Sequence, residues 1–316
     1  MPSTHAKVVI LGTGGTIAGT AVDAADGVGY RAAQLDVTTL VAAVPPLAGM
    51  PLECEQVAQI DSRDMSHAVW QRLAQRAAFH LGREDVAGIV VTHGTDTLEE
   101  TAYFLHRVLA PTKPLVLTAA MRPATALQPD GPQNLFDAVQ TARAPQAQGV
   151  VVVMAGVLHH PAEVRKQRSY RIDAFDSGDA GPLGHLEVGD VRLLRPWPQG
   201  VAIGQAALHT DPATWPRVDI VMSHAGADGA VVRMLCAAGV RGLVVAATGN
   251  GTVHEALARA LEEAQAQGVT VLRASRCAEG GIVGTENTPL PSAGTLSPVK
   301  ARIELLLALL SGEHPT

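Results

Sequence analysis

The chain has 316 residues, 47% of them hydrophobic and 17% charged, with a formal net charge of −6. That length exceeds what one hydrophobic core supports, so two domains are expected, and the apolar composition excludes a disordered chain. The acidic balance excludes a basic footprint for nucleic acid or an anionic membrane, and no apolar run reaches the ~18 residues of a membrane span.

Aromatic residues are only 3% of the chain, so the core is expected to consist of Val, Leu, Ile and Ala. Cys54, Cys236 and Cys277 are widely spaced and form no C-x-x-C pair. They read as reduced thiols and not as a disulfide framework. A strand-like run begins by residue 7, with no basic segment and long apolar core before it. No secretory leader is visible, and a cytoplasmic location is expected.

In chain order, apolar runs of strand length recur at 7–11, 88–92, 114–118, 150–154, 218–222, 242–248 and 269–273. Amphipathic segments of helix length, at 66–81, 97–109, 133–144, 229–238, 252–267 and 297–310, lie between most of them. The alternation predicts βαβ units and a mainly parallel sheet, the α/β class. It breaks between 156 and 198, where GHLEVGDVRLL reads as a hairpin-containing extension, and a proline-bearing linker is expected over 192–216. A larger N-terminal domain over 1–191 and a smaller α/β domain over 217–316 follow.

Two runs end in Gly- and Thr-rich turns, GTGGTIAG at 12–19 and THGTDT at 92–97. In open α/β sheets ligands bind outside the carboxyl ends of strands, so two such turns suggest one shared site. The first turn fits neither the dinucleotide fingerprint nor the P-loop, which leaves backbone N–H groups facing a ligand with Thr16 beside them. It reads equally as a strand-to-loop turn whose glycines permit close packing. In the second turn, Thr97 and Glu100 match the capping box of a helix start, whereas the Thr95-Asp96 pair beside Gly94 is not needed for that.

A threonine hydroxyl is a weak nucleophile until a proton acceptor activates it. Tyr30, in a Gly- and Asp-rich loop, is one partner of the right chemistry, although a loop tyrosine equally packs at a surface. Lys166 lies among Arg165, Arg168 and Arg171. It reads either as part of a solvated basic cluster or as a base whose pKa is lowered by those neighbours and by burial. His159-His160 and His254-Glu255 lack the spacing of a metal-binding helix, so no metal is expected.

Through these motifs and others, the chain resembles the bacterial L-asparaginase/glutaminase family from residue 7 nearly to its end. The resemblance rests on TGGTIAG (13–19), GYRAAQLDVTTLVAAVPPL (29–47), QIDSRDM (59–65) and HGTDT (93–97). MRPATALQPDGPQNL (121–135), GPLG (181–184), GNG (249–251) and SAGTLSPVKAR (292–302) extend it. The resemblance implies a large flavodoxin-like N-terminal domain with a smaller α/β C-terminal domain, no cofactor, and a homotetramer built as a dimer of dimers. It implies hydrolysis of the side-chain amide of L-asparagine to L-aspartate and ammonia, with L-glutamine as a minor substrate.

It further implies a role for each matching residue. Thr16 would be the nucleophile, with Tyr30 as its proton-handling partner on a mobile loop. Lys166 would be a base assisting Thr95, and backbone N–H groups of the second turn would form the oxyanion hole. Ser62 would hold the substrate carboxylate and Asp96 its ammonium, with Gly15 and Asp61 in the same binding loops. Arg63 stands where the high-affinity periplasmic members often carry Gln or Glu, so it either pairs with the substrate carboxylate or turns to solvent. Glu286 is the acidic residue expected to complete a neighbouring subunit's site.

Three alternatives stand beside this reading: a glutaminase-asparaginase of broad specificity, a subunit acting on misacylated tRNA, and a non-catalytic sensor of asparagine or aspartate. The acidic charge argues against the tRNA reading. The second threonine and the lysine, which a pure binder does not need, argue against the sensor.

Overall fold

The computed structural model describes residues 6–23, 29–284 and 288–312. Contacts divide the chain into two compact units, 1–202 and 203–316.

In the first unit, β1 (Lys7–Gly14), β2 (Leu52–Ile60), β3 (Val86–Thr92), β4 (Pro114–Thr118) and β5 (Gly149–Met154) pair in parallel. Then β6 (Val157–His159), β9 (Gly184–Glu187) and β10 (Asp190–Leu193) extend the sheet antiparallel. The order across the eight strands is β10-β9-β6-β5-β4-β3-β1-β2. Its parallel part reads 2-1-3-4-5, the flavodoxin-like order. A two-stranded piece, β7 (Arg165–Lys166) with β8 (Phe175–Asp176), stands apart from it. Both the mainly parallel sheet and the hairpin extension agree with the sequence reading.

The strands β1, β3, β4 and β5 are continuous β-branched and aliphatic runs because both faces of the sheet are covered. On one face Val8, Ile10, Val90, Val116 and Val151 pack against Val37 and Leu40 of α1 (Val37–Ala42). Leu135, Ala138 and Val139 of α4 (Gly131–Arg143) complete that layer. The other face carries α2 (His67–Leu81) and α3 (Leu98–Leu109). Ser66 caps α2 by accepting a hydrogen bond from the Val69 N–H, which places the start where the periodicity predicts it.

Two elements depart from the prediction. The strand β2 was not among the apolar runs, because LECEQVAQI mixes Glu53, Glu55 and Gln56 into a sheet edge that is buried only at Val57 and Ala58. The short α1 likewise carries too few turns for a periodic signal.

The second unit has a three-stranded parallel sheet in the order β11 (Val218–Met222), β12 (Gly242–Ala247), β13 (Thr270–Ser275). Helices α5 (Ala230–Ala237) and α6 (Glu255–Ala266) pack through Val232, Leu257, Ala260 and Leu261 onto Val221, Val245 and Val271. Helix α7 (Pro298–Ser311) lies against all three strands. Helix α6 starts three residues later than the periodicity predicts. Thr248 and Thr252 exchange backbone hydrogen bonds of 2.9 Å, closing the intervening GNG into a tight loop first.

Candidate active site

The first turn leaves the carboxyl end of β1. Gly14 and Gly15 adopt φ values of 102° and 80°, a region that side chains rarely occupy. A Cβ on Gly15 would also lie 2.3 Å from the Gly94 Cα, so the two turns touch backbone to backbone. The chain then tightens into a 3-10 turn at Thr16–Ala18, and Thr16 is buried. Thr20 and Arg31 exchange backbone hydrogen bonds of 2.9 Å, which bring the chain back beside the turn. Tyr30 is thereby placed with its hydroxyl 2.7 Å from the Thr16 Oγ1. A side chain on Gly19 would collide with the Tyr30 ring, so that glycine admits the phenol.

The second turn leaves β3, the neighbour of β1 in the sheet. Chain order reverses between these strands, with β2 on the far side of β1, so the turns meet at the topological switch point. Lys166 Nζ, carried on β7, donates to Thr95 Oγ1 at 2.8 Å and to Asp96 Oδ1 at 2.6 Å. The Lys166 backbone N–H is held by Glu99 of α3 at 3.3 Å. Ser62 Oγ accepts from the Asp96 N–H at 3.1 Å, and a Cβ on Gly94 would fall 2.5 Å from that oxygen. The five residues named for catalysis thus form two clusters, Thr16 with Tyr30 and Thr95 with Asp96 and Lys166. Gly15 and Gly94 join them, and Ser62 lies at the edge of the second.

Three details correct the sequence reading. Thr97 stands at the N-cap of α3, but its hydroxyl makes no capping bond and donates instead to the Ser62 carbonyl at 2.8 Å. The capping-box signal came from a residue that ties the Ser62 loop to the turn. Lys166 is not a solvated member of a basic cluster, since its side chain is only 18% exposed and its ion partner is Asp96. Arg168 and Arg171 are engaged by Asp176 and Asp173.

Asp61 and Arg63 are not brought into either cluster. Asp61 accepts from the Arg63 N–H, and the Arg63 guanidinium, 73% exposed, pairs with Asp61 and Asp64. Glu286 lies outside the described residues. Among the described residues no three His, Cys, Asp or Glu side chains converge as metal ligands. His93 opens the HGTDT motif but has no role in the sequence reading, and it is fully buried beneath the second turn. Burial lowers its pKa to about 4, so the ring is neutral at neutral pH.

As chemistry, each cluster pairs a buried hydroxyl with a group able to move a proton. A Lys ammonium has no lone pair, so Lys166 must release a proton before it can accept one from Thr95. The Asp96 carboxylate and the N–H groups of the second turn add sites for a cation and for an oxyanion.

The model of the N-terminal asparaginase domain matches residues 7–199, and that of the glutaminase/asparaginase C-terminal domain matches residues 217–316. The glutaminase-asparaginase of Pseudomonas fluorescens biotype A is 38% identical over 96% of this chain and 86% of its own length. The L-asparaginase 2 of Escherichia coli K12 is 36% identical over 98% of this chain and 90% of its own. A crystal structure of the probable cytoplasmic L-asparaginase from Campylobacter jejuni superposes with a TM-score of 0.90 at 36% identity. It covers 98% of this chain and 97% of its own. Among the described residues no helix is long and apolar enough to cross a membrane.

Proposed function

The chain belongs to the glutaminase/asparaginase family of amidohydrolases, and on that premise we propose that it hydrolyses L-asparagine to L-aspartate and ammonia through an acyl-enzyme on Thr16. The observation that carries this reading is the 2.7 Å contact between Thr16 and Tyr30 at a turn touching the Thr95–Lys166–Asp96 cluster.

In the first half-reaction Thr16 Oγ1 attacks the amide carbon, and its proton passes to the Tyr30 oxygen as the Tyr30 hydroxyl hands its own proton on toward the amide nitrogen. The carbonyl oxygen becomes an oxyanion that backbone N–H groups of the second turn stabilise. Collapse breaks the C–N bond, the departing nitrogen takes a proton, and ammonia leaves an ester on Thr16. In the second half water attacks the ester and gives a proton to Thr95 as Thr95 passes its own to a neutral Lys166. The C–O bond to Thr16 then breaks, the relayed proton returns to Thr16 Oγ1, and aspartate departs. Asp96 holds the substrate ammonium and Ser62 its carboxylate, while Lys166, once neutral, takes a proton from Thr95. The Arg63 ion pairs point away from a substrate role, so affinity rests on Ser62, Asp96 and the turn backbone.

Glutamine is the second substrate on this reading. Similarity to a relative named glutaminase-asparaginase supports it, and one extra methylene is worth only about 1–3 kcal/mol of discrimination in a pocket. Similarity to a probable cytoplasmic relative supports a cytoplasmic location. The family resemblance supports a homotetramer, which light scattering would test. Ammonia release from each amide, from micromolar to tens of millimolar, tests the function. Saturation on asparagine sustains it, and silence on both amides ends it.

A further inference from the structure

Below the second turn, three buried side chains form an unbranched path to its backbone. Trp70 Nε1 of α2 donates to Thr101 Oγ1 of α3 at 2.9 Å. Thr101 Oγ1 lies 2.9 Å from His93 Nε2, and His93 Nδ1 lies 2.7 Å from the Gly94 carbonyl oxygen. Thr101 and His93 are wholly buried, and Trp70 is 3% exposed with its ring stacked on Phe104 at 4.8 Å.

Proton positions along this path are forced. An indole N–H only donates, so Thr101 must accept from Trp70. A carbonyl only accepts, so the proton on His93 sits on Nδ1. A neutral imidazole then has a bare Nε2, which takes the Thr101 hydroxyl proton. Every donor points the same way, and the path ends on the Gly94 oxygen.

In a trans peptide the N–H points opposite to the C=O. Clamping the Gly94 oxygen to His93 therefore aims the Thr95 N–H away from the buried ring. Among the described residues no acceptor takes that N–H. We infer that Trp70, Thr101 and His93 are positioning residues, a one-way hydrogen-bond chain that fixes the Gly94–Thr95 peptide so that its N–H receives the substrate carbonyl oxygen. The inference rests on the amide-hydrolysis reading and adds to it the group that sets the oxyanion donor.

The test compares Thr101→Val, Thr101→Ser and Trp70→Phe in the full chain, with nitrogen NMR of labelled histidine. Thr101→Val is expected to lower kcat on asparagine at least about tenfold while KM moves less than about threefold, and Thr101→Ser to restore most of the rate. Wild type should carry the His93 proton on Nδ1 at pH 7, and Trp70→Phe should shift the Thr95 amide resonance. A proton on Nε2 overturns the inference. So does a Thr101→Val enzyme within twofold of wild-type kcat, or a loss that serine does not restore, as a packing role would give. Where Thr101→Val does not fold, Thr101→Ser, Trp70→Phe and the histidine spectrum decide. If wild type releases ammonia from neither amide, the functional reading fails separately. The chain is then judged by the His93 tautomer and the Thr95 shift alone.

Discussion

The two hydroxyl clusters use the same kind of strand-end turn but are wired differently. Thr16 has an uncharged partner, Tyr30, that approaches from a loop tied beside the turn by the Thr20–Arg31 bridge. Thr95 has a charged partner, Lys166, set in a β-ladder, anchored to Glu99 and balanced by Asp96. On the proposed mechanism, the first arrangement suits a hydroxyl that forms and breaks a covalent bond while its proton moves a short way. The second suits a fixed electrostatic frame in which charge is exchanged but atoms stay put. On that reading, similar turns serve a moving part and a frame, according to what reaches them from elsewhere in the chain.

Substituting the two threonines is the sharpest way to break this contrast. Thr16→Ala and Thr95→Ala should each lower kcat by about 10⁴-fold or more, roughly 5.5 kcal/mol of barrier. Only wild type and Thr95→Ala should retain a nucleophile for an acyl adduct detectable by mass spectrometry of quenched enzyme. An adduct in Thr16→Ala would reverse the assignment.

The partners come next. Lys166→Met leaves Asp96 without its counter-ion and should cost about 10³-fold, whereas Tyr30→Phe keeps the ring in place and should cost about 10–100-fold. Steady-state kinetics check both, and a Tyr30→Phe loss larger than that of Lys166→Met would contradict the division into moving part and frame.

Acid should have a smaller effect. Burial lowers the pKa of His93, under the second turn, and of His106, in α3, to about 4 from an ordinary value of 6.5. Between these values the unfolded chain binds more protons than the folded one. Stability is therefore complete above pH 6.5 and drains as the pH falls toward 4, by up to roughly 1.4 kcal/mol per pH unit for each histidine. Urea titrations followed by tryptophan fluorescence at pH 7 and pH 4.5 measure it, and His106→Phe should flatten the slope. Equal stability at the two pH values would count against both burials. The smallest effect is expected at Arg63, where Arg63→Ala should change KM for asparagine by less than about threefold, because exposed ion pairs contribute little.

Much of the fold was legible because its central strands are covered on both faces and so read as unbroken aliphatic runs. The edge strand β2 escaped because an edge tolerates Glu53 and Glu55, which erase that pattern. Within the site, Thr16, Thr95 and Asp96 were legible as strand-end residues. Their partners were ambiguous locally, since Tyr30 lies 14 residues from Thr16 and Lys166 lies 71 from Thr95. For those two, the resemblance in ordered motifs named the partner before the geometry did. Of the chain from Trp70 to Gly94 only His93 and Gly94 fall in a motif; the link itself was not legible, because Trp70 and Thr101 are 31 residues apart and meet only when α2 and α3 pack.

The contact between Gly15 and Gly94 carries a consequence for anyone reshaping this enzyme. With the Gly15 Cβ position 2.3 Å from the partner backbone, no repacking of side chains makes room, so the two positions act as one locus that cannot be randomised. A library aimed at new substrates gains nothing there. Change is tolerated instead at Arg63 and Asp64, whose side chains are more than two-thirds exposed, where the scaffold leaves latitude without loosening the joint between the turns.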